Sequence, residues 1–513
     1  GQASYDLEIE VDPTNDNILY AGGIDLFRSS DAGTSWNQIT RWRTFGGPGN
    51  PINNLNAPLV HADHHAFVFH PTDPTIALIG TDGGVDYATS LNVNPPTIVP
   101  KKRNYNTLQF YHGAIGQEIG NEKLLAGAQD NGTLAIFNGS SGTNSGDEVR
   151  GGDGTFCFID KDNEYIVVST QNGNYFYRDY ATGTTSGYDI DASSSGGQFV
   201  NPAALDSDNN FLYADGTSNA GFSINRYRLN PVGTMPDEVV KSSLTDAMLD
   251  GSPTAFNAST FTTTNLFVGT ANGKLFRISN AQSQFLSNWT EITGDDFFGS
   301  ISCIELGATE NDIYVTFHNY GVTNVFYSPD GGTTWQNKEG NLPNLPVKAI
   351  MPNPLNANEV IIGTELGVWG TPDFSVANPS WYQAQNGMKD VKVTDFDLRT
   401  ADNTVLATSY GRGMFTGQFN ADASTLSVSD NALVNMLKVY PTVSNGNFKI
   451  QANNEISNGV LSIYNINGQK VYNSRLDFTR GQVQQISLNA SSGLYILELA
   501  SEDLKVTKKI IIK

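Results

Sequence analysis

The chain has 513 residues, 39% of them apolar and 16% charged, with 51 glycines and a formal charge of −22 at pH 7. That acidity excludes nucleic acid as a partner, because a phosphate backbone requires a basic groove, and no apolar run is long enough to span a bilayer as a helix. Abundant Gly, Asn, Thr, Ser and Tyr, with no capped amphipathic stretch, predict an all-β protein of several domains.

From the N-terminus one phrase recurs: an apolar run ending in Gly or Thr, a polar turn, then apolar and aromatic residues. The copy Phe267-Val-Gly-Thr-Ala-Asn-Gly-Lys-Leu-Phe276 is typical, and others occupy residues 19–27, 79–87, 362–369 and 407–415. Weaker copies begin near Ala126, Ser169, Ala214 and Thr316. Each reads as a hairpin, and their spacing, roughly 42 to 58 residues, is close to that of a four-stranded propeller blade. Strands preceding the hairpins end in proline turns such as Val11-Asp-Pro13 and Met351-Pro-Asn-Pro354, where proline fixes φ and Asp or Asn closes the turn. Nine hairpins exceed one ordinary ring. Either the first copies belong to a preceding propeller or the ring is unusually large; the favoured expectation is one ring of about seven four-stranded blades, with the N-terminal copies shared with a neighbouring unit. The first residues lack the regions of a signal peptide, as expected of a mature or trimmed form.

Two copies extend into Ser29-Ser-Asp-Ala-Gly-Thr-Ser-Trp36 and Ser328-Pro-Asp-Gly-Gly-Thr-Thr-Trp335. These resemble the Asp-box, or BNR, repeat of sialidases, sortilin-type receptors and xyloglucanase-like propellers, and the resemblance extends to residues 342–347 and 409–415. In such a turn the carboxylate accepts backbone N–H bonds, glycine takes positive φ and tryptophan packs between strands. Asp31, Trp36, Asp330 and Trp335 are therefore expected to be structural.

Four of the six histidines fall within ten residues, in His61-Ala-Asp-His-His65 and His70. On a strand, His61, Asp63 and His65 would share one face, a set that suits a divalent cation or a hydrogen-bonded network near the channel. The glycine-flanked acidic turns at Asp82, Asp130 and Asp153 would add negative potential and, with the histidines, form a ligand-binding rim; as turn formers they need no ligand at all. Catalysis finds little support. Arg277, Arg412 and Arg150 lie in unrelated turns and do not make the arginine triad of a sialidase, and no carboxylate pair is singled out for glycoside hydrolysis. Binding of an extracellular glycan or surface protein is the favoured function, with a glycoside hydrolase as the alternative. Two cysteines, Cys157 and Cys303, are too few for a disulfide framework, and spacing does not say whether they meet.

After Phe419 the repeat stops. Residues 1–420 read as the propeller, 421–436 as a linker and 437–513 as a small Ig-like β-sandwich of seven short strands. Residues 438–513 carry nine Lys and Arg against five Asp and Glu, a balance of +4, leaving −26 for the rest of the chain. Such a break suggests a separate module. Val439-Tyr-Pro-Thr-Val-Ser-Asn-Gly-Asn-Phe448, Ile463-Tyr-Asn-Ile-Asn-Gly468, Ser492-Gly-Leu-Tyr-Ile496 and Lys509-Ile-Ile-Ile-Lys513 together resemble the type A C-terminal sorting domain of the type 9 secretion system. Tyr440, Pro441, Gly446, Gly468, Gly493, Tyr495 and Lys513 carry that likeness; Thr442-Val443 departs from the usual Asn-Pro. The resemblance implies a bacterium of the Bacteroidetes type, secretion to the cell surface, and the translocon and outer-membrane shuttle proteins as partners.

Overall fold

The computed structural model describes residues 4–43, 56–120, 122–140, 142–181, 187–192, 197–229, 240–384, 387–388, 390–421, 437–452, 455–465, 469–501 and 504–513, all strands and turns. The chain forms two units, Gly1–Phe419 and Asn420–Lys513. Most of the expected linker, and Gly468, lie outside the described residues.

Among the described residues the first unit contains nine antiparallel sheets, each a simple meander: sheet 1 (residues 8–38), 2 (64–100), 3 (110–150), 4 (154–191), 5 (203–244), 6 (253–291), 7 (301–337), 8 (347–383) and 9 (393–418). All are four-stranded except the last, which has three strands. The first strands of sheets 3 to 9 follow one another around an axis, and that of sheet 9, Val393–Arg399, packs against that of sheet 3, Phe110–Ile115. Sheets 3 to 9 therefore close a seven-bladed β-propeller.

The seam chemistry explains the closure. Thr254, Ser302 and Thr394 each occupy a bulge at the second position of an inner strand. Their hydroxyls donate to the first inner-strand carbonyl of the next sheet, those of Ile301 (2.7 Å), Val347 (2.6 Å) and Phe110 (2.9 Å). The last of these joins sheet 9 to sheet 3. The same junction is held by Asp397 Oδ2, which accepts from Ile115 N at 2.8 Å, and by Arg399, whose guanidinium reaches Glu122 at 2.7 Å and Asp402 at 2.9 Å. Leu108, on the segment entering sheet 3, accepts the Gly411 N–H and so staples the shorter final sheet.

The recurrent glycine of the repeat has a reason beyond its turn. In sheets 3, 6 and 8 it lies where the next sheet's inner strand crosses. A Cβ added at Gly127 would stand 2.0 Å from Thr155 O, at Gly269 2.5 Å from Ile301 Cγ2, and at Gly363 2.7 Å from Val393 Cγ1. In sheet 9 the position is Thr408, and the small residue moves to the crossing strand, as Gly113.

Sheets 1 and 2 stand beside the ring, packed on each other through Tyr20, Leu26, Phe67 and Ile79. Their outer faces differ from those of the ring sheets. Ile9, Val11 and Phe27 of sheet 1, with Leu7 just before it, and Val68, Leu78 and Val99 of sheet 2, are exposed.

The two Ser-x-Asp turns have one geometry. Asp31 Oδ1 accepts Ser35 N and Asp330 Oδ1 accepts Thr334 N, both at 2.8 Å, while the preceding serine hydroxyls accept Gly33 N and Gly332 N. These bonds hold both carboxyls below their ordinary range. The tryptophans diverge. Trp335 reaches out of its own sheet, donating to Ile292 O at 2.9 Å and packing edge-on against Phe297; Trp36 turns back onto Gly33 O and is 39% exposed. The anchor of Trp335 is thus the preceding sheet rather than its own turn, and Trp36 meets no such neighbour among the described residues. Trp335→Ala is expected to cost about 3 kcal/mol and Trp36→Ala under about 1 kcal/mol; parallel urea titrations of the two variants check this.

The second unit is a sandwich of a three-stranded and a five-stranded sheet around Leu437, Phe448, Ile450, Leu461, Ile463, Leu497, Leu499 and Ile510. All seven expected strands occur. An eighth, Val443–Ser444, pairs in parallel with Leu504–Ile512. Tyr440 and Pro441 end the first strand across a cis peptide, and Gly446 takes φ +93° where a Cβ would strike Leu488 O. Gly493 opens its strand, buried Tyr495 donates to Ser491 O, and Lys513 N is bound by Ser444 O.

Candidate functional site

Antiparallel meanders place the entry to every inner strand, and every turn between second and third strands, at one end of the ring. A cavity of about 520 Å³ runs down the axis from that end. Its walls are aromatic, with Tyr111, Phe156, Phe158, Phe256 and Tyr410, and charged, with His112, His318, Lys348, Lys392 and Asp395. Volume and lining are of the kind that holds a small organic ligand.

The charges are arranged by depth. Near the loop end, Glu365 Oε1 takes His318 Nε2 at 2.6 Å and Lys392 Nζ at 3.1 Å. Deeper, Asp395 Oδ2 faces His112 Nε2 at 3.3 Å and accepts Gly113 N at 3.3 Å. Asp395 exposes 21% of its side chain, but into the channel rather than to bulk water. Burial therefore pushes its pKa up to about 7 and that of Asp397 to about 6, and burial with repulsion from both pushes Glu305 to about 8; burial drives His112 down to about 4. Cys303 lines the cavity and Cys157 lies behind His112; both are free thiols, raised by burial.

These carboxyls make the ring's stability pH-dependent. A carboxyl with a higher pKa folded than unfolded binds more protons in the folded state between those two values. Its stabilisation is complete below the unfolded pKa near 4 and is lost as pH rises through the folded value. Depressed His112 opposes this trend only below its ordinary value near 6.5, so the melting temperature is expected to fall by a few degrees between about pH 6.5 and pH 8, and Asp395→Asn with Glu305→Gln should flatten the profile. Calorimetry across that range is the check.

The predicted rim residues lie beside the cavity mouth, between sheets 2 and 3. The alternation expected of His61, Asp63 and His65 is broken. The strand begins only at His64, Asp63 has φ +62°, and the register shifts between His64 and Ala66, so the three do not form one strand face. His61 Nε2 instead contacts Asp130 O at 2.8 Å, and His65 Nε2 meets Asp82 Oδ1 at 2.7 Å, opposite a hydrogen bond from Tyr5. Asp63, Asp82 and Asp130 come together, with ligand oxygens within 4.8 Å of one another. Asp153 Oδ1 accepts Asp130 N, and burial with repulsion from Asp153 and Asp82 raises Asp130 to about 6. An all-oxygen set of this kind suits calcium better than a transition metal. If it holds one, millimolar calcium raises the melting temperature of the parent and not of Asp130→Asn.

The cavity lining was not legible as a site, because its residues come in ones, twos and threes from strands tens of residues apart. Lys348 and Asp395 read as isolated charges in apolar strands. Aligning the second residues of the inner strands would have exposed Lys348 beside Thr254, Ser302 and Thr394.

Fold and cavity define an all-β propeller protein with a separate C-terminal sandwich. Residues 438–513 match the family described as the secretion system C-terminal sorting domain. The protein is exported and reaches the cell surface through the type 9 secretion system. No curated protein matches the chain.

Proposed function

We propose that this is a surface binding protein, a module for glycans or proteins, that takes its ligand at the loop end of the ring. The observation that carries the reading is the axial cavity, where aromatic walls and charged groups converge at the open end of a rigid scaffold. Asp395 and Asp397 are tied to backbone N–H groups of the adjoining sheet, which suits seam residues better than a mobile acid and base pair. A glycoside hydrolase is the second reading, favoured by one fact: burial pushes Asp395, which lines the cavity, up to about 7, in the range a general acid requires. A glycan array and a hydrolysis screen on one preparation separate the two. Binding without turnover is expected, and robust release of reducing sugar overturns the binding reading.

The shared turn geometry at Asp31 and Asp330 supports membership of the BNR-type propellers, and the export route supports a Bacteroidetes source. Sheets 1 and 2 we read as blades of a second ring. Among the described residues Trp36 bonds only its own turn where Trp335 reaches a neighbouring sheet, and the atoms nearest a Cβ at Gly80, the counterpart of Gly127, belong to Ala66 of its own sheet. The outer faces of both sheets carry blade features with no blade against them among the described residues.

A further inference from the structure

At the second position of the inner strand, sheets 6, 7 and 9 share one device, whereas Tyr111 and Thr155 of sheets 3 and 4 bond within their own sheets and sheet 5 has Ala204 there. Thr254, Ser302 and Thr394 sit at a bulge there, and each hydroxyl bridges to the next sheet. Sheet 8 has the same bulge, between Val347 and Ala349, but the residue is Lys348. A lysine at this place gives up the bridge to sheet 9 and puts an ammonium into the axial cavity. Among the described residues Lys348 Nζ has neither a hydrogen bond nor an ion pair. The nearby carboxylates are engaged elsewhere: Glu365 by His318 and Lys392, Asp395 by His112 and Gly113 N. Burial disfavours the Lys348 charge most and the second cation, Lys392, adds to that, while Asp395 and Glu365 offset only part of it. Leaving an ammonium unpaired in such a place costs free energy, and a departure from the bridge of the flanking sheets 7 and 9 at that cost marks function.

We propose that Lys348 receives the carboxylate of a ligand in the axial cavity, the body of that ligand lying against Phe156, Phe256 and Tyr410. The proposal rests on the reading of the cavity as the binding site and names the chemistry it selects. A carboxylate would pair with Lys348, and Lys392 would add a second positive charge at the mouth. A neutral ligand would leave the ammonium uncompensated. Two sources supply this chemistry, an acidic sugar and a small aromatic acid.

Calorimetric titration of the full chain with glucuronic acid, glucose and benzoate tests the proposal. At least one acid is expected to bind, and at least about tenfold more tightly than glucose. Preference for glucuronate over benzoate assigns the sugar source, and the reverse assigns the organic acid. Lys348→Met is expected to lower affinity for the acid about tenfold or more while leaving glucose binding as it was. Ala204→Phe, which fills the cavity wall and leaves Lys348 in place, is expected to abolish binding of every probe, and it serves if Lys348→Met fails to fold. Equal affinity for acid and neutral sugar, or full affinity in Lys348→Met, overturns the role of Lys348 while the cavity reading stands. Acid binding that survives Ala204→Phe overturns the cavity reading itself, and no acid binding at millimolar concentration overturns the proposal.

Discussion

Deleting residues 437–513 is expected to abolish display at the cell surface and leave a folded propeller in the periplasm. The sorting domain match covers residues 438–513, and these residues build a sandwich with its own core around Leu437, Phe448, Leu461 and Leu497. The ring has a closure of its own. Its seam is closed by Thr394, Asp397 and Arg399 of sheet 9 against sheet 3, all before Phe419. The truncated chain should therefore keep the parent's cooperative unfolding for the propeller, while its signal in a surface protease-accessibility assay falls to background. Normal display of the truncated protein would refute the role of the domain, and an unfolded product would instead mean that the two units depend on each other.

The fold was largely legible, for a physical reason. A hairpin is local: Leu19 to Phe27 or Phe267 to Phe276 carries strand, turn and strand within ten residues, so the repeat announces the blade. Relations between blades are not local. The sequence shows that Gly127 precedes a turn, but not that Thr155, on the next sheet, passes over it. It shows a tryptophan after Asp330, but not that its indole reaches Ile292 of the preceding sheet. The candidate site was legible in part. The acidic turns at Asp82 and Asp130 do converge with Asp63, because short glycine turns are predictable and cluster at one end of the sheets. The histidines could not be placed by alternation, since a positive φ at Asp63 and a bulge before Ala66 interrupt the period of two. Lys348 escaped notice for a related reason: its meaning lies in a bulge register that only the paired strand reveals.

The same relations between blades predict opposite outcomes for one substitution at equivalent positions. At Gly127 an added Cβ would lie 2.0 Å from Thr155 O and 2.7 Å from Thr155 N. Both are backbone atoms of a strand fixed at the ring axis, so neither can step aside as a flexible side chain would. Gly127→Ala must push sheets 3 and 4 apart, and a loss of about 3 kcal/mol or more is expected, at the upper end of what overpacking costs. At Gly80 the nearest atom to the new methyl is Ala66 Cβ at 3.2 Å, within the same sheet, and a shift of a few tenths of an ångström relieves it. Alanine is also the better strand residue, because glycine loses more backbone freedom on folding. Gly80→Ala is therefore expected to fall within about 0.5 kcal/mol of the parent. Urea unfolding of the two variants, read by tryptophan fluorescence, measures the contrast. A loss at Gly80 as large as that at Gly127 would mean that another strand already crosses the outer face of sheet 2 in the native protein, as the inner strand of sheet 4 crosses sheet 3.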